Sequence, residues 1–316
     1  MTRDLIDLLA CPVCGGALAL CGDSDGLECA ACGARYPVEA GVPVLLAPAP
    51  DGAGAPGCSH KATQIAFFDA DPADDFGVTR PRGAPALHGW LLGEKFRRSV
   101  LGLEDLLPGA TALTVCGGSG LDAEFLARAG ARVVLSDISL GVVRQAAERA
   151  RRFGLDVDLL VADAENLPFR DGSVDVTYVH DGLHHLERPA LALAEMARIS
   201  RRAVSVSEPA SAFATSAAVR LGVAEHREEA GNVVRRLTLA EIVSELAAHG
   251  FEPVAPHRYA MYYRHWPGRA VRLLSRPGLL PLATVGFLIA NRLAGRFGNK
   301  LAVQAIRVPL SAGRSA

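Results

Sequence analysis

From Thr111 onward, apolar runs alternate with segments of helical period, and nothing else in the chain constrains its fold as strongly. The runs Ala112–Val115, Arg132–Ser136, Asp158–Val161, Val174–Val179 and Ala203–Ser207 are nearly continuous in Val, Leu and Ala. Strands of a parallel sheet look like this because helices cover both their faces. Between them, Leu121–Ala129, Leu140–Phe153 and Ala190–Ile199 are expected as helices. Gly130 and Gly154 stand where helices should stop, and Pro189 where one should start. Thr238-Leu-Ala-Glu241 is a capping box opening a further helix that Gly250 closes, and Lys300–Arg307 is expected as a last strand. The expectation is an α/β fold, a doubly wound and mostly parallel sheet.

Five of the seven cysteines lie within the first 32 residues. Cys11-Pro-Val-Cys14 and Cys29-Ala-Ala-Cys32 are two C-x2-C pairs, each suited to a tight turn that aims two thiolates at one metal. Four thiolates leave no open position, so the expected ion is a structural Zn2+ holding a small N-terminal domain over residues 1–47. Cys21 and Cys58 fall outside the pattern. Residues 48–60 are rich in Pro, Gly and Ala and are expected as a linker, with residues 61–110 a helical extension of the domain that follows. The ribbon-like segment Leu8-Leu-Ala-Cys-Pro-Val-Cys14, with Tyr36-Pro-Val-Glu-Ala-Gly-Val-Pro-Val-Leu45, resembles the zinc ribbon that accompanies several methyltransferases, including their small activator subunit. Residues 1–50 carry two Arg against six Asp or Glu, which disfavours a phosphate-binding role for it.

The first strand runs straight into Cys116-Gly117-Gly118-Ser119-Gly120 and then a helix. Glycines at such a turn let a ligand approach the backbone near an amide-rich helix N-terminus. The second strand ends in Asp137-Ile138, the third in Asp163-Ala164-Glu165-Asn-Leu-Pro-Phe169, and the fourth in His180-Asp181-Gly-Leu-His184-His185. All would meet at the carboxyl edge of one sheet.

Residues 85–310 thereby resemble a Rossmann-like class I S-adenosylmethionine-dependent methyltransferase, of the branch that includes ubiquinone and menaquinone methyltransferases. The resemblance implies that Gly118 and Gly120, with Cys116, Gly117 and Ser119, line the methionyl end of the cofactor. It implies that Asp137 with Ile138 holds the ribose, that Asp163, Ala164 and Glu165 meet the adenine, and that His180 lies beside the sulfonium. The family turn has an acidic residue and a glycine where this chain has Thr114 and Cys116, with Asp122 a candidate substitute for the acid. Methyl transfer to a hydroxyl or amine uses a general base, and His184, His185 and Asp181 are the candidates, with Glu208 next in line. Glu225 and His226 are expected on the surface. The acceptor is expected to be a small or lipid-linked metabolite. The alternatives are an rRNA or tRNA methyltransferase and a non-catalytic protein on the cofactor fold.

Half the residues are hydrophobic and the formal net charge is −1, which excludes a disordered or uniformly basic chain. The sum conceals a division. Residues 253–316 hold ten Lys or Arg and no acid, leaving −11 on the remainder. The basic and apolar stretch at 258–299 is read as an insertion facing an anionic ligand or the periphery of a membrane. Its aromatic and basic run around Arg264 and Trp266 also suits nucleic acid, but the acidic ribbon makes that partner the weaker expectation. No run of eighteen apolar residues occurs and no apolar leader precedes the cysteines, so a cytoplasmic chain is expected.

Overall fold

A computed structural model describes residues 2–21, 26–48, 60–70, 75–210, 236–262 and 265–308. Most of the expected linker, Cys58, Glu225, His226 and Arg264 lie outside the described residues.

Five parallel strands form the centre: β5 (Thr111–Val115), β6 (Arg132–Asp137), β7 (Val157–Ala162), β8 (Val174–His180) and β9 (Ser200–Pro209). They lie in the order β7-β6-β5-β8-β9, so the chain reverses direction across the sheet between β5 and β8. β12 (Lys300–Arg307) pairs antiparallel with β9, and β10 (Phe251–Pro253) and β11 (His257–Tyr259) pair with β12. The helices α5 (Leu121–Arg128), α6 (Leu140–Phe153) and α7 (Pro189–Ile199) fall where the sequence predicts them. Helix α6 starts because the Ser139 hydroxyl accepts from the Val142 N–H, and the residue after its end is Gly154 in the left-handed region. The capping box closes in both directions at the start of α8 (Leu239–Ala248).

The N-terminal segment is sewn into this sheet. Helix α1 (Arg3–Leu8) precedes an antiparallel ribbon of β1 (Leu18–Leu20), β2 (Gly26–Cys29), β3 (Arg35–Glu39) and β4 (Val42–Leu45). Strand β4 then pairs parallel with β7, Val44 opposite Val161 and Leu45 opposite Ala162. Leu5, Leu9, Leu27 and Leu45 are fully buried in one cluster with Leu160, Leu167, Phe169 and Val204 of the central domain. Each such leucine stabilises by roughly 2 kcal/mol, so ribbon and sheet share a core.

Helices α2 (His60–Ala70), α3 (Asp75–Thr79) and α4 (Ala86–Ser99) precede β5. Toward the C-terminus, α9 (Arg269–Leu274) and α10 (Leu280–Ala294) rest on α4 and β11. Among the described residues, no helix is long and apolar enough to cross a membrane.

Candidate functional site

A cavity of about 190 Å3 opens at the carboxyl ends of β5, β6, β7 and β8, where the strand order reverses. Cys116, Gly118, Asp137, Ile138, Asp163, Ala164, Glu165, Asp181 and His185 line it. These nine come from four separate strand ends that the sequence motifs anticipated. Five other expected residues stand behind this wall. Gly117 lies under the turn, where an added Cβ would come within 2.6 Å of Leu135. The Ser119 hydroxyl donates to the Gly77 carbonyl, and Gly120 opens helix α5. His180 and His184 are buried and do not line the cavity.

The turn is braced from below by a buried arginine. Arg149 donates to the carbonyls of Ser119 (2.9 Å), Arg80 (2.8 Å) and Gly77 (2.6 Å), and pairs with Glu124 at 2.9 Å. The Asp137 carboxylate accepts from the Gly118 N–H at 3.0 Å and the Ser139 N–H at 3.1 Å, joining the first turn to the second strand. Burial raises its carboxyl, against the pull of those amides. Cys116 adopts φ 52°, a region where a non-glycine residue is strained, which explains the glycine of the family pattern. Burial, with Asp137 and Glu208 nearby, pushes its thiol well above the ordinary range. Asp122, the candidate substitute for the missing acid, meets the Tyr178 hydroxyl at 3.2 Å and Lys95 at 3.7 Å through its carboxylate.

The fourth strand end is organised by Glu208, which is fully buried. Its Oε1 accepts from the N–H groups of Gly182 (2.8 Å) and Leu183 (2.7 Å), and its Oε2 pairs with His184 Nδ1 at 2.7 Å. Glu208 thus holds His184 at Nδ1, and His184 is buried and outside the cavity lining. Lys300 pairs with Asp181 at 2.5 Å. Burial alone would raise the Asp181 carboxyl, but Lys300 above all, with Lys95, holds it far below the usual range. Of the expected candidates, Asp181 and His185 line the cavity, and His60 lines it too.

His180 hydrogen-bonds through Nδ1 to the Tyr178 hydroxyl at 3.2 Å, while among the described residues its Nε2 has no hydrogen-bond partner and stands 3.7 Å from the Asp181 carboxylate. Burial, and Lys95 after it, lower its pKa from 6.5 to about 3. Unfolded, this imidazole protonates below about 6.5; folded, it resists until about 3. Its contribution is therefore intact above the unfolded value and is lost as pH falls between the two. We predict a slope of up to about 1.4 kcal/mol per pH unit from this residue, measured by denaturant unfolding, and a flatter profile in His180→Asn.

Sequence reasoning missed the wall that α2 supplies. His60 Nε2 donates to the His185 carbonyl at 2.7 Å, and Phe68 meets the His185 ring edge-on at 5.8 Å. Lys61 bridges Asp163 (2.6 Å) and Glu165 (2.9 Å). Burial would raise the Glu165 carboxyl, but Lys61 and the Arg188 N–H hold it below its usual range. No spacing links a helix near residue 60 to strand ends a hundred residues later. Lys300 escaped notice for the same reason.

At the other end of the chain's first domain, Cys11, Cys14, Cys29 and Cys32 bring their four sulfurs within 4.8 Å of one another. The Cys11–Cys32 and Cys14–Cys29 separations are 3.7 and 3.5 Å. Sulfurs at 2.3 Å from a tetrahedral ion would stand roughly 3.8 Å apart. A Cβ on Gly16 would fall 2.9 Å from Cys29 Sγ and 3.2 Å from Cys14 Sγ, so only glycine leaves the cradle open. The Tyr36 hydroxyl lies 3.1 Å from Cys11 Sγ, positioned to donate to a thiolate. The cluster touches the segment that follows the third strand end: Pro12 O accepts from Asn166 Nδ2 at 3.0 Å, and the Ala10 N–H donates to Pro168 O at 3.0 Å.

Comparison with known proteins agrees with this geometry. Residues 113–205 match the family described as "Methyltransferase domain", and residues 2–41 match "Trm112p-like protein". The chain is 36% identical over 107 residues to a demethylmenaquinone methyltransferase of Renibacterium salmoninarum, covering 34% of this chain and 44% of that one. It is 38% identical over 142 residues to a ubiquinone/menaquinone biosynthesis C-methyltransferase of Bordetella avium, covering 44% and 54%. These matches span about half the length of the curated relatives. In fold it is similar to the magnesium protoporphyrin IX methyltransferase of Synechocystis with bound SAH (TM-score 0.50, 18% identity, 70% of this chain and 84% of that one). Residues 113–205 are thus similar to the methyltransferase domain family, and residues 2–41 to the Trm112p-like family.

Proposed function

We propose that the protein transfers a methyl group from S-adenosylmethionine to a small-molecule acceptor, carried on or related to a lipid. The observation that carries this reading is the meeting of Gly118, Asp137, Asp163–Glu165 and His185 in one cavity. The donor set fits the cofactor. Asp137 offers carboxylate oxygens suited to paired ribose hydroxyls, and Asp163 with the Ala164 backbone is suited to an adenine edge. Gly118 brings open backbone to the methionyl end, with nothing within 4 Å of where a Cβ would stand. When bound, the cofactor supplies an electrophilic methyl group on its sulfonium. This chain's own residues orient the acceptor and exclude water. Asp181 and Lys300, paired, fix the floor of the acceptor side, and His185 is the group placed to take a proton where the acceptor carries one. His180, neutral and buried beneath, supports that floor.

We further propose that the four cysteines hold one structural Zn2+, with the Tyr36 hydroxyl on the Cys11 sulfur. The quinone acceptors in the names of the relatives support an apolar ring as acceptor here. Incubating the protein with methyl-labelled S-adenosylmethionine and a cell extract, then partitioning between solvent and water, tests the reading. Label should enter the solvent phase or low-mass solutes. Label confined to RNA, or none transferred to any fraction, would overturn it.

A further inference from the structure

Helix α10 is apolar around its circumference, and none of its residues is buried. One side is held down. Leu280, Ala283 and Phe287 pack on the cluster of Leu87, Leu91 and Trp90, and Asn291 exchanges two hydrogen bonds with Ala260, at 2.8 and 3.0 Å. At about 100° per residue these four positions share one face of the helix. Leu282, Val285, Ile289 and Leu293 share the opposite face and are 71%, 52%, 54% and 74% exposed. Leu273, Leu274 and Leu279 before the helix and Phe297 after it are exposed as well.

The charge around this face has one sign. Arg269, Arg272, Arg276, Arg292 and Arg296 are all exposed, and among the described residues none of them forms an ion pair. Residues 253–316 offer no carboxylate side chain to neutralise them. An apolar helix face rimmed by arginine suits insertion at the boundary between lipid headgroups and acyl chains. At fifteen residues the helix is too short to span a bilayer, so it would lie in the surface. A second copy of the chain fits poorly, because a twofold contact through this face would set the same cations of both copies against each other.

We propose that α9 and α10 dock the protein on an anionic lipid leaflet, with Leu282, Val285, Ile289 and Leu293 entering the leaflet and the five arginines meeting lipid phosphates. Lys300, which pairs with Asp181, follows six residues after α10. The docking stands on exposure and charge and does not depend on methyl transfer.

Co-sedimentation of the full chain with phosphatidylcholine vesicles, and with vesicles also containing phosphatidylglycerol, tests it. Binding to the anionic vesicles should be at least about tenfold tighter than to the neutral ones and should weaken as salt is raised. The double variant Leu282→Glu/Leu293→Glu should lose at least about tenfold in vesicle binding at an unchanged melting temperature. The proposal is overturned if the wild-type chain stays in the supernatant, if both vesicle types bind it equally, or if the variant sediments like the wild type. A dimer that the variant dissociates, without vesicle binding by either protein, would assign the face to a second copy and also overturn it.

Discussion

Removing the proposed Zn2+, by a strong chelator or by Cys11→Ser with Cys29→Ser, is expected to lower the melting temperature of the entire chain by about 10 °C. Structural zinc sites contribute about 10 kcal/mol or more in isolated fingers. A loss of roughly 7 kcal/mol from a chain of this size shifts the midpoint by that much. The whole chain responds because β4 is a strand of the central sheet and Leu5, Leu9, Leu27 and Leu45 belong to its core. One cooperative transition should therefore move as a unit in differential scanning calorimetry. Cofactor affinity should fall with it, since the Cys11–Cys14 knuckle presents the Pro12 carbonyl that anchors Asn166, three residues from Asp163. A small separate transition, with the main one unmoved, would show that the ribbon folds independently.

Glu208→Ala should be the most damaging single change at the fourth strand end, costing about 3–5 kcal/mol in denaturant unfolding. The carboxylate satisfies two buried amides and the His184 ring, and alanine would leave all three without it. Glu208→Gln keeps an oxygen for the amides and should cost less than half as much. Amide exchange should quicken at Gly182 and Leu183 in the alanine variant before it does in β8. If both variants unfold like the wild type, the loop is held by something other than Glu208.

The parallel sheet and its cavity were legible because each strand is a local apolar run and each polar motif sits at a run's end. The Gly-rich turn, Asp137 and Asp163 needed only the rule that such ends converge. Contacts made over long sequence separations left no such mark. Lys61 on Asp163, Lys300 on Asp181 and the β4–β7 pairing each join segments a hundred or more residues apart. His184 and His185 are adjacent in sequence, yet one turns to Glu208 and the other to the cavity. Which does which depends on the short 3-10 turn at Leu183–His185, which no periodicity announces. The strain at Cys116 was visible only as a departure from a family pattern until its φ gave the reason.

Calorimetric titration with S-adenosylhomocysteine tests the central claim most directly, with wild-type protein beside Asp137→Ala. One equivalent should bind the wild type, and the variant should bind at least about tenfold more weakly, having lost a charged hydrogen-bonding partner for the ribose and the brace of the Gly118 amide. No heat from S-adenosylhomocysteine or S-adenosylmethionine at millimolar concentration, or equal binding by the variant, would contradict the account.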